Sequence, residues 1–149
     1  MNQSPLLILH ADDDDGDRLL FGEALSCVPI STRLISLSSG EQLLNYLSAE
    51  VELPSVIFLD LNMPKISGFD CLTNIKNTEK LESICVVICS TSGDEKSVQD
   101  TFNNGAQLYI IKPFNFDHFP AIINKALIML TNENFEKPPL SKFVLNKPD

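Results

Sequence analysis

The most constraining feature of the chain is an apolar run that ends in one carboxylate and then breaks. Val56-Ile-Phe-Leu59 leads into Asp60, with Pro64 and Gly68 close behind. Apolar residues without polar alternation describe a strand covered on both faces, and the proline and glycine stop it from continuing as regular structure. Asp60 is therefore expected at the carboxyl end of a central strand, on the rim where open α/β sheets bind ligands.

The same pattern recurs along the sequence. Leu6-Leu-Ile-Leu9 reads as a buried strand and runs into the cluster Asp12-Asp-Asp-Asp15. Leu19, Leu20, Ala24, Leu25 and Val28 then recur at helical spacing, predicting a helix from Asp17 to Val28 whose acidic start suits the helix dipole. Leu34 to Leu37 gives a second strand, and a helix from about Gly40 to Ala49 turns Leu43, Leu44 and Leu47 inward. After the central strand, Leu72 and Ile75 mark a short helix, and Ile84-Cys-Val-Val-Ile-Cys89 is a fourth strand ending at Ser90. A polar helix from about Asp94 to Asn103 stops at Asn104-Gly105, a good C-cap. Leu108 to Ile111 is a fifth strand, ending at Lys112-Pro113, and a last helix runs from about Phe116 to Leu130 with Ile122, Ile123, Leu127 and Leu130 on its apolar stripe.

Five strands alternating with five helices imply a doubly wound α/β fold, with a parallel sheet, right-handed crossovers and helices on both faces. Residues 1–130 account for this domain. Residues 131–149, with Pro138, Pro139 and Pro148, form a tail without a domain of its own. Phe143-Val-Leu145 is apolar enough to dock, so a packed tail and a disordered one are weighed evenly.

A chain of 149 residues, 44% hydrophobic and 21% charged, can bury a core without metal or disulfide help. No apolar run approaches the roughly 18 residues of a membrane span, and Met1 to Pro5 lacks the basic start of a signal peptide, so a cytoplasmic protein without membrane attachment is expected. Cys27, Cys71, Cys85 and Cys89 have no Cys-x-x-Cys spacing and read as reduced thiols. The net charge of −9 argues against nucleic acid as a partner and favours a cation or a basic protein.

In such a sheet the residues that follow strands one, three, four and five converge on one edge, and here these are Asp12 and Asp13, Asp60, Ser90 and Lys112. Clustered carboxylates are tolerable around a hard divalent cation with oxygen ligands, Mg2+ being the usual one. A lysine adds a second positive charge and a serine a hydrogen-bond donor. The set suits a phosphoryl group arriving at one carboxylate while positive charge neutralises its equatorial oxygens.

The chain resembles the receiver domains of two-component response regulators over about residues 5–130. The motifs are Asp12-Asp13, Leu59-Asp60-Leu-Asn-Met-Pro64 with Gly68, Ile88-Cys-Ser90, and Tyr109-Ile-Ile-Lys112-Pro113. Thirty residues separate Asp60 from Ser90, and twenty-two separate Ser90 from Lys112, spacings that suit the family. Each motif is weak alone, and all of them in order are specific. The resemblance implies the flavodoxin-like strand order 2-1-3-4-5. The acidic run followed by Gly16-Asp-Arg-Leu-Leu-Phe21, with Thr91-Ser92, is similar to single-domain, chemotaxis-receiver-like proteins paired with phytochrome-like sensor kinases.

The resemblance further implies that Asp60 is the phosphoacceptor, supplied by a sensor histidine kinase or a histidine phosphotransfer protein. Asp13 and Asp60 would bind Mg2+ directly with the backbone carbonyl of Asn62, and Asp12 through water. Lys112 and Ser90 would contact the phosphoryl group, while Tyr109 would move with the loop carrying Ser90 as a population shift. Output would run through phosphorylation-dependent protein contacts, including a possible homodimer through the face of the fourth helix, fifth strand and fifth helix. Thr91 departs from the small residue usual in the family, and Asn62 and Ser92 stand where the family tunes hydrolysis.

Plainer readings stand beside these. Asp14, Asp15 and Asp17 are expected to face solvent, Arg18 to pair with a neighbouring acid, and His10 and His118 to lack acidic partners. Tyr109 could serve core or edge packing rather than a switch. A receiver-fold interaction module that is never phosphorylated is the alternative function. A dehalogenase-like phosphatase would want aspartate where Asn62 stands. Apart from self-catalysed phosphotransfer and dephosphorylation, no enzyme activity is expected.

Overall fold

The computed structural model describes residues 4–49 and 52–147; the first three residues read above for targeting and Pro148 lie outside them. The central run forms β3 (Val56–Asp60), buried throughout. Beside it lie β1 (Leu6–Ala11) and β4 (Cys85–Ser90), each buried from its second residue onward. Outside these are β2 (Thr32–Leu37) and β5 (Leu108–Ile111). The order among them is 2-1-3-4-5, all pairs parallel, as expected. β2 starts earlier than expected, because the polar pair Thr32-Arg33 at its start, with Arg33 exposed, is invisible to a search for apolar runs.

Five helices connect the strands: α1 (Asp15–Ser26), α2 (Gly40–Ser48), α3 (Gly68–Lys76), α4 (Glu95–Asn103) and α5 (Phe119–Thr131). Their starts are fixed by side chains that accept otherwise orphaned amide hydrogens: Asp14 from Asp17, Ser39 from Gln42, Ser67 from Asp70 and Asp94 from Ser97. The last helix begins later than predicted. Phe116–His118 is a 3-10 turn capped by Asn115, and α5 proper opens at Phe119 with Pro120 in its first turn, where a missing N–H costs nothing.

Strand alternation sends successive residues to opposite faces. Leu7, Leu9, Ile57, Leu59, Val86, Ile88 and Tyr109 pack with α2, α3 and α4, whereas Ile8, Phe58, Val87, Leu108 and Ile110 pack with α1 and α5. Each fully buried aliphatic chain contributes roughly 1.5–3 kcal/mol, so the β3 register is held by its whole length. The four cysteines carry no disulfide; burial pushes Cys71 up to about 11 and Cys89 up to about 12, which keeps both as neutral thiols.

The tail corrects the five-stranded expectation. After α5, the short helix α6 (Leu140–Phe143) leads into β6 (Val144–Leu145), which pairs parallel to β5 through Tyr109 with Val144 and Ile110 with Leu145, making a six-stranded sheet. A two-residue strand has no periodicity to detect. Phe143 is fully buried in the core face that holds Tyr109, so the packed tail is the one observed.

Candidate functional site

Register places the site. Ala11 pairs with Leu59, so Asp12 stands one step beyond β1 beside Asp60; Asp60 pairs with Cys89, so Ser90 stands one step beyond. Ser90 pairs with Ile111, and the backbone N–H of Lys112 donates to the Ser90 carbonyl at 2.8 Å. The loop after β3 then folds back tightly. Gly68 donates its amide to the Leu61 carbonyl at 3.0 Å, and a Cβ there would lie 2.0 Å from the Asp60 carbonyl oxygen. No side chain fits at that approach.

Asp12, Asp13 and Asp60 each offer a carboxylate oxygen within 4.8 Å of the other two. Asp12 and Asp60 are buried and Asp13 is exposed. Lys112 joins them from the end of β5, its Nζ 2.9 Å from Asp12 Oδ2, 3.1 Å from Asp17 Oδ2 and 3.9 Å from Asp60 Oδ1. Burial disfavours the ammonium, but its carboxylate contacts outweigh this and hold Lys112 above its ordinary value. Asp60 is pushed up to about 6, first by burial and then by Asp12 and Asp13, against the lowering influence of Lys112 and the Asn62 backbone amide. One ammonium among these carboxylates leaves negative charge uncompensated. Hard oxygen donors on a partly open rim fit a divalent cation such as Mg2+.

Several expectations are refined here. Asp17 does not simply face solvent; it shares Lys112 with Asp12. His10 does have an acidic neighbour, Asp12 Oδ2 at 3.9 Å from Nε2, although that distance is not a hydrogen bond. The ring stacks on Phe21 at 3.9 Å between centroids, and burial, then Lys112, lowers its pKa to about 3, so it is a neutral core histidine. Positions two apart on a strand share a face, which relates His10 to Asp12. Arg18 pairs with Asp15 as expected and also donates to the Asp12 carbonyl at 2.7 Å.

Ser90 is buried at the end of β4; its Oγ accepts the Ser92 amide at 3.2 Å, and its hydroxyl also hydrogen-bonds the Tyr109 side chain. Tyr109 is buried, and its hydroxyl donates to the Ser92 carbonyl. Thr91 is exposed. Asn62, Ser90 and Ser92 line a cavity of about 290 Å³ with Leu61, Phe69 and the start of α4.

A parallel doubly wound sheet that gathers carboxylates, a lysine and a hydroxyl at its carboxyl edge defines a receiver. Residues 8–124 match the response regulator receiver domain, and the chain belongs to that family of two-component proteins. It is 30% identical to the probable methanogenesis regulatory protein FilR2 of Methanothrix harundinacea, over 77% of each chain. It is 33% identical to response regulator Rcp1 of Synechocystis sp., over 74% of this chain and 79% of Rcp1. The Mn2+-bound crystal structure of Rcp1 superimposes with a TM-score of 0.76 at 28% identity, covering 91% of this chain and all of Rcp1, 100%. The phosphorylated cyanobacterial phytochrome response regulator RcpA gives a TM-score of 0.76 at 28% identity, over 83% of this chain and 91% of RcpA. Among the described residues, no helix is long and apolar enough to cross a membrane.

Proposed function

We propose that Asp60 accepts a phosphoryl group from a sensor histidine kinase or a histidine phosphotransfer protein. The observation that carries this reading is the Asp12, Asp13 and Asp60 cluster with the Lys112 ammonium against Asp12 and Asp60. A carboxylate oxygen of Asp60 bonds to phosphorus as the P–N bond of the donor phosphohistidine breaks, and the electron pair leaves with the imidazole nitrogen, which is protonated from solvent. Asp13 and Asp60 would hold Mg2+ with the Asn62 carbonyl, and Asp12 through water. When bound, the cation supplies positive charge against the phosphoryl oxygens. Lys112 neutralises an equatorial oxygen, and Ser90 turns its hydroxyl proton toward another.

The protein acts in the cytoplasm as a relay whose output is contact with other proteins, and it turns over no external substrate. Similarity to Rcp1 and RcpA favours a phytochrome-like kinase as donor. A homodimer through the face of α4, β5 and α5 would include the tail strand, because β6 occupies the outer edge of β5. The test is intact mass after incubation with acetyl phosphate. A phosphate-sized gain that needs Mg2+ and is lost in Asp60→Asn supports the proposal. No gain in a folded sample under rapid quenching overturns it and favours the phosphorylation-independent module.

A further inference from the structure

The tail is tied to the site through a continuous set of contacts. Lys137 Nζ donates to the Phe102 carbonyl near the end of α4 at 2.6 Å, and lies 4.1 Å over the Phe102 ring and 5.5 Å from that of Phe143. Phe143 meets Phe102 edge-on at 5.1 Å and Tyr109 at 6.2 Å between centroids. The Tyr109 hydroxyl holds the Ser92 carbonyl, and the Ser92 amide holds Ser90 Oγ. From Phe143 to Ser90, every link is a packed ring or a hydrogen bond.

We infer that residues 137–145 form a docked latch whose seating on α4 and β5 favours the phosphoryl-bound state of the Asp60 site, by holding Tyr109 inward and, through it, the Ser90–Ser92 loop. This rests on the receiver reading above. Packed interiors leave little room for intermediate positions, so an outward Tyr109 would open a void beneath Phe143 that the docked tail cannot fill. With the tail released, Tyr109 regains that freedom and the Ser90–Ser92 loop loses its anchor. By linkage, whatever the tail adds to phosphoryl binding, a bound phosphoryl group returns to tail docking by the same factor.

The test uses the full chain with Mg2+ and beryllofluoride, a phosphoryl mimic, reading affinity by fluorine NMR and tail docking by amide hydrogen exchange over residues 137–147. The expected result is tight binding by the wild type, weakening by about fivefold or more in Phe143→Ala, and slowing of tail exchange by a similar factor in the ligated wild type. Wild-type binding with unchanged affinity in a tail-released Phe143→Ala overturns the latch and leaves the receiver reading standing. Absence of wild-type binding overturns both. If Phe143→Ala loses the fold, Lys137→Ala, which removes the outermost tie, decides: weaker binding with faster tail exchange supports the latch, and unchanged binding with faster exchange overturns it.

Discussion

Lys112 Nζ sits 2.9 Å from Asp12 Oδ2, closer than to the carboxylate proposed to carry the phosphoryl group, which is 3.9 Å away. In this state the lysine serves first as counter-ion to a buried acid. A phosphoryl group at Asp60 would compete with Asp12 and Asp17 for it.

Removing that ammonium should therefore cost stability as well as function. Lys112→Ala leaves the buried Asp12 carboxylate without its partner, and the metal-free protein should lose about 3–5 kcal/mol at pH 7. Thermal unfolding should show Mg2+ restoring more stability in the variant than in the wild type, because the cation replaces the missing charge. Equal gains would argue against a shared charge site.

Asp60→Asn should stabilise the metal-free protein at neutral pH. The folded pKa is raised from 3.8 to about 6, so the folded state binds the proton more tightly than the unfolded one. Its stabilising contribution is complete below pH 3.8 and is lost as pH rises through about 6. The variant should gain about 1–2 kcal/mol over the wild type at pH 8, less than the full shift implies because the site opens to solvent, and nothing at pH 3.5. Chemical denaturation at the two pH values checks this.

The same proton should appear in metal binding. Mg2+ needs Asp60 ionised, so affinity should rise between pH 5 and pH 7 and level off above. Calorimetry in buffers of different ionisation enthalpy should detect up to one proton released per cation at pH 5 and close to none at pH 8.

His10 works in the opposite sense. Its folded pKa of about 3 lies below the ordinary 6.5, so stability is complete above pH 6.5 and declines as pH falls toward 3. His10→Phe keeps a ring against Phe21 and removes the titration. The variant should be less acid-sensitive than the wild type by about 2–3 kcal/mol at pH 4. Unfolding curves at pH 7 and pH 4 provide the comparison.

Gly68→Ala tests the loop over Asp60. A methyl group 2.0 Å from the Asp60 carbonyl oxygen must displace backbone, so the variant should lose about 2 kcal/mol or more and bind Mg2+ more weakly. Wild-type stability and affinity together would contradict this geometry.

The five main strands and the gathering of Asp12, Asp13, Asp60, Ser90 and Lys112 were legible because buried parallel strands are uninterrupted apolar runs, and polar residues at their ends mark one rim. What escaped depends on distance. Asp17 reaches Lys112 across 95 positions of sequence, and nothing local in the first turn of α1 announces it. His10 read as isolated because its stacking partner, Phe21, reaches it only when α1 folds back on β1, although Asp12 was two residues away on the same face. β6 owes its existence to the open edge of β5 rather than to any pattern in Val144-Leu145.

Because β6 runs parallel to β5, the chain leaves the sheet at the same pole as the site, and Asn146 shares a concave surface with Lys112, Phe114 and His118. β1 begins at the opposite pole. A fluorophore or fusion appended after Lys147 would thus stand in the path of an approaching donor protein, whereas one placed ahead of Ser4 would trail behind it. Labelling strategy, and any steric gating by whatever follows the tail, is set by the direction of two residues.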